Sequence, residues 1–246
     1  MEGNKIFGIR PVLEAFKAEK TFTKIMVREG TASELLFRII DLAEKQNITL
    51  NRVPVERLDR LAKGSNHQGV VAFLSAAEYS DLEGVLENIK QSPKPPFLLL
   101  LDKITDVRNF GAIARTAECA GIDAIVVPAK GAAPLNVDAM KTSAGALNYI
   151  PVCRVPNLRT AIYLIKSYDI KVIAATERSE KNYFAADLSG AVAVILGSEE
   201  SGISGNNLEL ADETVKIPLY GNIDSLNVSA AAAVIAFECV RQRYGL

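Results

Sequence analysis

Residues 217–238 read IPLYGNIDSLNVSAAAAVIAFE and combine a strand-like run, a polar loop and a helix with very little side-chain bulk. The apolar run ends at Pro218. Asp224 or Ser225 is a candidate cap for the following helix, because short polar side chains accept hydrogen bonds from the free amides of a first helical turn. We predict this helix over residues 226–244. Its alanine run indicates that the backbone lies close to another element or subunit, since a helix on an open surface would not need to be slim on so many sides.

The same alternation of strand and helix signals extends back to Phe97. We predict strands over residues 97–101, 124–127, 152–155, 172–175, 191–196 and 214–219, and helices over 110–120, 137–147, 158–168 and 207–210. Continuous runs of Val, Ile, Leu and Ala are typical of strands in a parallel sheet covered by helices on both faces. Ligands of such sheets bind where loops leave the carboxyl ends of strands. The loops after Leu101, Ala175, Leu196 and Leu219 are therefore the candidate site.

The first seventy-odd residues predict a smaller α/β unit. Strands are expected over residues 24–27, 48–53 and 69–74, and helices over 34–46, with Ser33 as a candidate cap, and over 55–62. Residues 75–96 contain one weak helix, 82–89, and the segment QSPKPP, whose prolines are typical of a linker. We predict an N-terminal domain over residues 1–76, a linker over 77–96 and a C-terminal domain over 97–246.

Composition excludes several classes of function. Charge is nearly balanced, with 28 Lys and Arg against 29 Asp and Glu, so nucleic-acid binding would need a local basic patch. The single histidine, His67, excludes multi-histidine metal sites and His-dependent triads. Three widely spaced cysteines without a CxxC pair predict a reduced, cytoplasmic environment without a zinc site. No apolar run is long enough for a bilayer, and the N-terminus lacks the layout of a signal peptide, so we expect neither metal nor membrane.

The loop after Leu101 belongs to residues 101–121, LDKITDVRNFGAIARTAECAG. Asn109 is a candidate helix cap. Arg115 is a lone charge on a helix otherwise made largely of Ala, Ile, Thr and Cys, where a guanidinium needs an anionic or polar partner. A phosphate clamp and a structural ion pair are equally open interpretations of Arg115.

A second loop follows a buried strand in residues 194–204, VILGSEESGIS. Gly197 allows a ligand to approach the backbone closely, although a glycine turn with solvated glutamates explains the same pattern. The chain has neither a GxGxxG run that opens a helix nor a Gly-Lys-Ser/Thr loop. This absence excludes dinucleotide-dependent and nucleoside-triphosphate-dependent enzymes.

These three loops, in this order, resemble the three motifs of the SpoU (TrmH-type) family of RNA ribose 2′-O-methyltransferases, part of the knotted SPOUT superfamily. The motifs stand here in residues 101–121, 196–204 and 217–238. GIRPVLEAF (8–16) and SNHQGVVA (65–72) resemble the small RNA substrate-binding domain of the subgroup that methylates a guanosine of large-subunit (23S) ribosomal RNA. A transfer RNA 2′-O-methyltransferase and a non-catalytic RNA-binding or ribosome-assembly factor of the same fold are the alternatives.

The resemblance implies a trefoil knot in the C-terminal domain, a homodimer through that domain and S-adenosyl-L-methionine as cofactor. It implies catalytic roles for five residues: Asn109, Arg115, Glu199, Ser225 and Asn227. It implies cofactor contacts from six: Thr176, Leu196, Gly197, Ile217, Pro218 and Leu226. Candidate RNA contacts in the N-terminal domain are Arg10, Lys63, Asn66, His67 and Gln68, of which His67 is equally a polar loop residue without a role. Val107 departs from the family pattern, because many relatives have proline there.

Overall fold

The structure, a computed structural model, describes residues 5–17, 20–30, 33–75 and 78–245. They group into two units, one comprising Met1–Glu78 with Pro134–Val137, the other Tyr79–Ala133 with Asp138–Leu246. Each unit has its own hydrophobic core. Within the described ranges, no helix is both long and apolar enough to cross a membrane.

The first unit contains a four-stranded mixed sheet in the order β1-β4-β2-β3. Its elements are β1 (Lys5–Phe7), α1 (Ile9–Lys17), β2 (Phe22–Arg28), α2 (Glu34–Lys45), β3 (Thr49–Val53), α3 (Val55–Ala62) and β4 (Val70–Leu74). β4 runs antiparallel to β1 and β2, and β3 runs parallel to β2. Because side chains alternate along a strand, Ile25 packs with α1 and α2 on one face, whereas Met26 packs with α3 on the other.

The second unit contains a six-stranded sheet in the order β10-β8-β9-β5-β6-β7, with every neighbouring pair parallel. Its strands are β5 (Phe97–Asp102), β6 (Ala124–Pro128), β7 (Val152–Val155), β8 (Lys171–Ala175), β9 (Val192–Gly197) and β10 (Glu213–Val215). Its helices are α4 (Leu82–Lys90), α5 (Val107–Cys119), α6 (Val137–Thr142), α7 (Leu158–Lys166), α8 (Gly205–Leu208) and α9 (Val228–Tyr244). The parallel α/β sheet and the separate N-terminal α/β unit predicted from the sequence are confirmed.

The segment predicted as a linker contributes to the core of the second unit. Helix α4 begins after Asp81, whose carboxylate accepts a 2.8 Å hydrogen bond from the Gly84 amide. Its apolar side chains Leu82, Leu86 and Ile89 are buried in the same cluster as the strands β5 and β6 and the helix α7. The weak helix signal in the sequence thus corresponds to a packed helix, because three well-spaced apolar residues are enough to hold it against the sheet.

Two predicted elements are too long. The helix expected over 137–147 breaks after Thr142, because Ala144 and Gly145 have φ angles of 51° and 89°, and a 3-10 turn follows over Ala146–Asn148. The strand expected over 214–219 ends at Val215. The Lys216 amide donates to the carbonyl of Lys181 instead of continuing the sheet, and Pro218 has no N–H to offer.

The C-terminal half of α9 is anchored by Arg243. Its guanidinium donates to the carbonyls of Pro95, Pro96 and Gly190 at 2.7–2.9 Å and lies over the Phe97 ring, 4.9 Å from the centroid. Burial lowers the pKa of Arg243 from its usual value, but the group remains a cation at neutral pH. These contacts tie the last helix to the start of the central strand and so fix its direction.

Helices α5 and α6 approach each other at Gly111 without space for a side chain. A Cβ at this position would lie 2.0 Å from Thr142 Oγ1 and 2.6 Å from Thr142 Cβ. The glycine therefore allows the first turns of α5 to pack against α6.

We expect Gly111→Ala to lower the free energy of unfolding by about 1–3 kcal/mol, because the backbone of α6 must move to admit a methyl group. Chemical denaturation with circular dichroism measures this change. Gly190→Ala is the matched control, since a Cβ there meets nothing within 4 Å. Equal stability of the two variants would contradict the close-packing argument.

Candidate active site

Four strands of the second unit end side by side. The register pairs Leu101 with Leu196, Leu196 with Ala175, and Ala175 with Val215. Because the strands are parallel, the loops that follow them leave the same edge of the sheet. The sequence-based prediction that these loops meet is confirmed.

Asp102, at the end of β5, holds the far end of the loop after β9. Its Oδ2 accepts hydrogen bonds from the Ser204 amide (2.7 Å), the Ser204 hydroxyl (2.6 Å) and Asn207 Nδ2 (2.9 Å). The residue is only 4% exposed, so these three donors offset the cost of burying a carboxylate. The sequence analysis did not single out Asp102, although a carboxylate directly after five apolar strand residues was a usable signal.

Gly197 holds the near end of the same loop. A Cβ on Gly197 would lie 2.1 Å from the carbonyl carbon of Gly202 and 2.3 Å from the Ile203 nitrogen, so no side chain fits. The Gly202 amide donates to the Ser198 carbonyl at 2.9 Å and closes a turn. Glu199 lies inside this turn. The loop that carries it is therefore held at one end by the packing of Gly197 and at the other by the hydrogen bonds of Asp102.

The first turn of α5 positions Asn109. Asp106 caps the helix, and its Oδ1 accepts from the amides of Arg108 (2.7 Å) and Asn109 (3.0 Å). The prediction that Asn109 is the cap is wrong, because the helix begins one turn earlier than expected, at Val107. The side chain of Asn109 is therefore available for contacts outside its own helix.

Glu199 Oε1 joins three segments that are distant in sequence. It accepts hydrogen bonds from Asn109 Nδ2 (3.1 Å), Asn227 Nδ2 (2.6 Å) and the Val228 amide (3.2 Å). Asn227 Nδ2 also donates to Asn109 Oδ1 at 2.9 Å. We call Asn109, Glu199 and Asn227 the Glu199 cluster. Glu199 Oε2 makes no hydrogen bond to any residue that the structure describes and is open to a ligand.

Asn227 is also the cap of α9. Its Oδ1 accepts from the Ser229 amide at 3.0 Å and from the Ser229 hydroxyl at 2.5 Å. The expectations that the helix starts at Leu226 and that Asp224 or Ser225 caps it are wrong. The side-chain amide of Asn227 accepts from the helix with Oδ1 and donates to Glu199 with Nδ2. Neither Asp224 nor Ser225 makes both contacts here.

A cavity of about 430 Å³ adjoins the Glu199 cluster at the strand ends. Seven of the predicted site residues line it: Thr176, Leu196, Gly197, Glu199, Ile217, Ser225 and Leu226. The sequence analysis missed several other lining residues, among them Glu177, Arg178, Glu200, Leu219 and Asp224. Four of the predicted residues in the second unit do not line the cavity: Asn109, Arg115, Pro218 and Asn227.

Arg115 is exposed on α5 and makes no hydrogen bond or ion pair with the residues that the structure describes. It lies six residues after Asn109, about 9 Å along the helix axis at 1.5 Å per residue. A structural ion pair within the described chain therefore does not account for Arg115, and its guanidinium is available for a ligand.

Two family models match the chain. The SpoU rRNA Methylase family matches residues 96–237, and the model described as RNA 2′-O ribose methyltransferase substrate binding matches residues 5–80. The chain belongs to the SpoU rRNA methylase family. The resemblance found in the three loop motifs is thereby confirmed.

Relatives at the level of the whole chain agree with this assignment. YacO of Bacillus subtilis (strain 168), named as a TrmH family tRNA/rRNA methyltransferase, is 34% identical over 97% of this chain and 95% of its own length. The 23S rRNA (guanosine-2′-O-)-methyltransferase RlmB of Vibrio parahaemolyticus is 32% identical, covering 99% and 98%. The crystal structure of the SpoU methyltransferase AviRb from Streptomyces viridochromogenes with AdoMet has the same fold, with a TM-score of 0.63, 23% identity and coverage of 98% and 91%.

In this SpoU family member, hydrogen bonds hold the loop that contains three of the candidate RNA contacts, Asn66, His67 and Gln68. His67 Nδ1 accepts from the Gly69 amide at 3.0 Å, so the proton is on Nε2, which donates to Asp59 at 2.9 Å. Gln68 Oε1 accepts from the Ile9 amide at 3.1 Å, next to Arg10 in α1. Asn66 Oδ1 accepts from the Gln68 amide, and Lys63 ends α3 with a φ of 48°. His67 thus organises the loop, and RNA contact by these residues stays a prediction.

The SpoU family chain has no group of three or more His, Cys, Asp or Glu side chains suited to a metal ion within the described ranges. Its three cysteines are free thiols. Burial raises the pKa of Cys153 and of Cys239 to about 12, so neither forms a thiolate near neutral pH.

We expect Asn227→Asp to retain the helix cap but to place a second carboxylate against Glu199. In the folded variant, repulsion between the two carboxylates makes the second one ionise at a higher pH than it does in the unfolded chain. The loss of stability is therefore absent at low pH, where one carboxyl is protonated, and grows as pH rises. The Tm should fall below that of the unsubstituted chain by about 2–4 °C at pH 8, with a smaller difference near pH 4. Thermal unfolding across this pH range measures the effect. Asn206→Asp, on the exposed start of α8, is the charge-matched control, and a deficit independent of pH would contradict the contact.

Proposed function

We propose that this chain transfers a methyl group from S-adenosyl-L-methionine to the ribose 2′-hydroxyl of a guanosine in 23S ribosomal RNA. The carrying observation is the Glu199 cluster beside a cavity at the strand ends, in a chain of the SpoU family. Relatives named 23S rRNA (guanosine-2′-O-)-methyltransferase, similar over nearly the whole chain, support ribosomal RNA as the substrate.

The cavity has the chemistry that S-adenosyl-L-methionine requires. Its volume lies within the range of about 300–1,000 Å³ common for small-molecule sites. Leu196, Ile217 and Leu226 supply apolar surface for an adenine ring, and Glu199 and Glu200 supply negative charge for a cationic ligand. When bound, this cofactor supplies an electrophilic methyl group on a sulfonium.

Backbone and small side chains would hold the cofactor. Thr176, directly after β8, and Gly197, the last residue of β9, line the cavity. Pro218 lies in the loop beyond β10 and would restrict the backbone next to Ile217. We assign these residues to cofactor binding together with Leu196, Ile217 and Leu226.

The Glu199 cluster would orient the ribose and exclude alternative positions. Glu199 Oε2 is an open acceptor for a hydroxyl group, and Ser225 presents a second hydroxyl-binding group at the same cavity. Because Asn109 and Asn227 hold Oε1, the carboxylate is fixed before the substrate arrives. Positioning of this kind contributes several kcal/mol to catalysis in general, on the order of 7–11 kcal/mol at its upper limit.

Arg115 would bind the phosphate next to the target ribose and stabilise negative charge that develops on the 2′-oxygen. A guanidinium is already protonated and cannot take up the 2′-hydroxyl proton, so the proton would pass to phosphate or water. The exposed, unpaired state of Arg115 among the described residues fits a group that waits for a phosphate.

We also propose a homodimer through the C-terminal domain, the family's trefoil knot and a cytoplasmic location. Apart from Ser229, the first ten residues of α9 are apolar, and Phe237 among them is 50% exposed, which favours burial against a second copy. The knot is proposed from membership of the SpoU family. Free thiols and a ribosomal RNA substrate favour the cytoplasm.

We expect the purified protein to place a single 2′-O-methyl group on a guanosine of a 23S rRNA transcript. Labelled S-adenosyl-L-methionine, 23S rRNA and total transfer RNA, followed by mapping of 2′-O-methyl positions, provide the measurement. Labelling of transfer RNA alone would favour the second candidate, which the tRNA/rRNA name of YacO keeps open. RNA binding without cofactor binding would favour an assembly factor.

We expect Arg115→Lys to retain RNA and cofactor binding but to lower kcat by about 10²-fold, because a lysine cannot hold phosphate with the planar, two-donor geometry of arginine. Single-turnover methylation and RNA-binding titrations separate the two effects. Arg159→Lys, on α7 in the same unit, is the matched control. Full turnover of Arg115→Lys would rule out the assigned role.

A further inference from the structure

One row of residues crosses the whole sheet of the first unit on the face where α3 packs. Lys5 of β1 and Lys24 of β2 both pair with Phe73 of β4, and Thr49 of β3 pairs with Lys24. All four are at least partly exposed, since α3 covers only the next row, with Met26 at its centre. We call Lys5, Phe73 and Lys24 the lysine row.

The two lysines place their charges against the same aromatic ring. Lys24 Nζ lies 4.6 Å and Lys5 Nζ lies 5.7 Å from the centroid of Phe73. The negative face of an aromatic ring attracts a cation, so the ring holds both ammonium groups in place. With strands about 4.8 Å apart, β1 and β2 lie about 10 Å from each other, which sets the width of the charged surface.

The positive charge of this row is not neutralised by the described residues. Neither Lys5, Lys24 nor the nearby Arg57 forms a salt bridge with any part of the chain that the structure describes. Burial, Arg57 and Lys5 lower the pKa of Lys24. Because the crowding of like charges costs free energy, an anion bound here would be stabilised by all three cations.

Other lysines of the same unit behave differently. Lys17 pairs with Glu14 at 2.7 Å on α1, and Lys45 pairs with Asp41 at 2.8 Å on α2. These two lie on exposed helix surfaces and are typical solvated ion pairs. The lysine row is therefore a local basic patch in a chain whose net charge is −1. With so balanced a composition, nucleic-acid binding requires a patch of this kind.

We propose that Lys5 and Lys24, with Arg57, form a phosphate-binding surface for the RNA backbone on the part of the N-terminal sheet that α3 leaves uncovered. This inference rests on the proposed function and adds a binding surface separate from the predicted loop contacts at residues 63–68. A polyanion fits the site better than a single carboxylate. The two ammonium groups lie on β1 and β2, which are separated by β4, so each can bind a different phosphate. The surface carries no sequence information and contributes affinity.

The test uses the full chain and a 23S rRNA transcript, with binding measured between 50 and 200 mM KCl. We expect Lys5→Gln and Lys24→Gln each to weaken binding and to reduce the slope of log K against log salt by about 0.7–0.9, the value for one lost phosphate contact. KM for RNA should rise while kcat and cofactor affinity stay unchanged. Lys24→Arg keeps the charge and should restore the slope, whereas a structural defect would leave it impaired.

Lys17→Gln and Lys45→Gln are the matched controls, because each removes one charge from a helix of the same unit. An unchanged salt slope and KM in the Lys5→Gln/Lys24→Gln double variant would overturn the inference, as would an equal loss in the controls. Failure of the proposed function has a different signature, since the unsubstituted chain would then bind the transcript without methylating it. A slope reduced only in the lysine-row variants supports the surface in either case.

Discussion

The site depends on one carboxylate oxygen, Glu199 Oε1, which accepts hydrogen bonds from the α5 side chain Asn109, the α9 cap Asn227 and the Val228 amide. Asn227 Nδ2 reinforces this junction, because it donates to Asn109 Oδ1 as well as to Glu199 Oε1. Three donors around one oxygen fix the rotamer of the glutamate and leave Oε2 for a ligand. The interaction thus connects the first turns of α5 and α9 to the loop that carries the glutamate. The geometry of the site and the position of the start of α9 therefore depend on the same hydrogen bonds.

That oxygen is in place only because its loop is held at both ends. At the near end, backbone contact between Gly197 and Gly202 leaves no space for a Cβ. At the far end, the buried carboxylate of Asp102 accepts hydrogen bonds from the amide and the hydroxyl of Ser204. A short loop clamped in this way has few alternative conformations, so little entropy is lost when a ligand binds. The same rigidity explains why polar groups in an exposed loop can act as positioning groups.

The sequence predicted the parallel sheet and the edge at which its loops meet, because continuous apolar strands and their order are local signals. It did not predict the start of α9. Asp224, Ser225 and Asn227 are all good caps by type, and the choice is made by Glu199, 28 residues away, which needs an N–H donor that only the asparagine offers. Asp102 was missed for a similar reason: its partners Ser204 and Asn207 lie about a hundred residues further along the chain. Local pattern located the site, and tertiary hydrogen bonding determined its geometry.

The positive charges of the chain differ in whether they have a partner within it. A chain with a net charge of −1 cannot attract RNA by its overall field, so RNA binding would need a local group of unpaired cations. Several lysines and arginines have partners within the chain, such as Lys17 with Glu14 and Arg243 with three carbonyls. Arg115 in the second unit and the lysine row in the first lack such partners among the described residues. In the lysine row, the like charges of Lys5 and Arg57 act against Lys24, and a bound phosphate backbone is the ligand that would offset this repulsion. Arg115 is the exposed cation proposed to bind phosphate in the second unit.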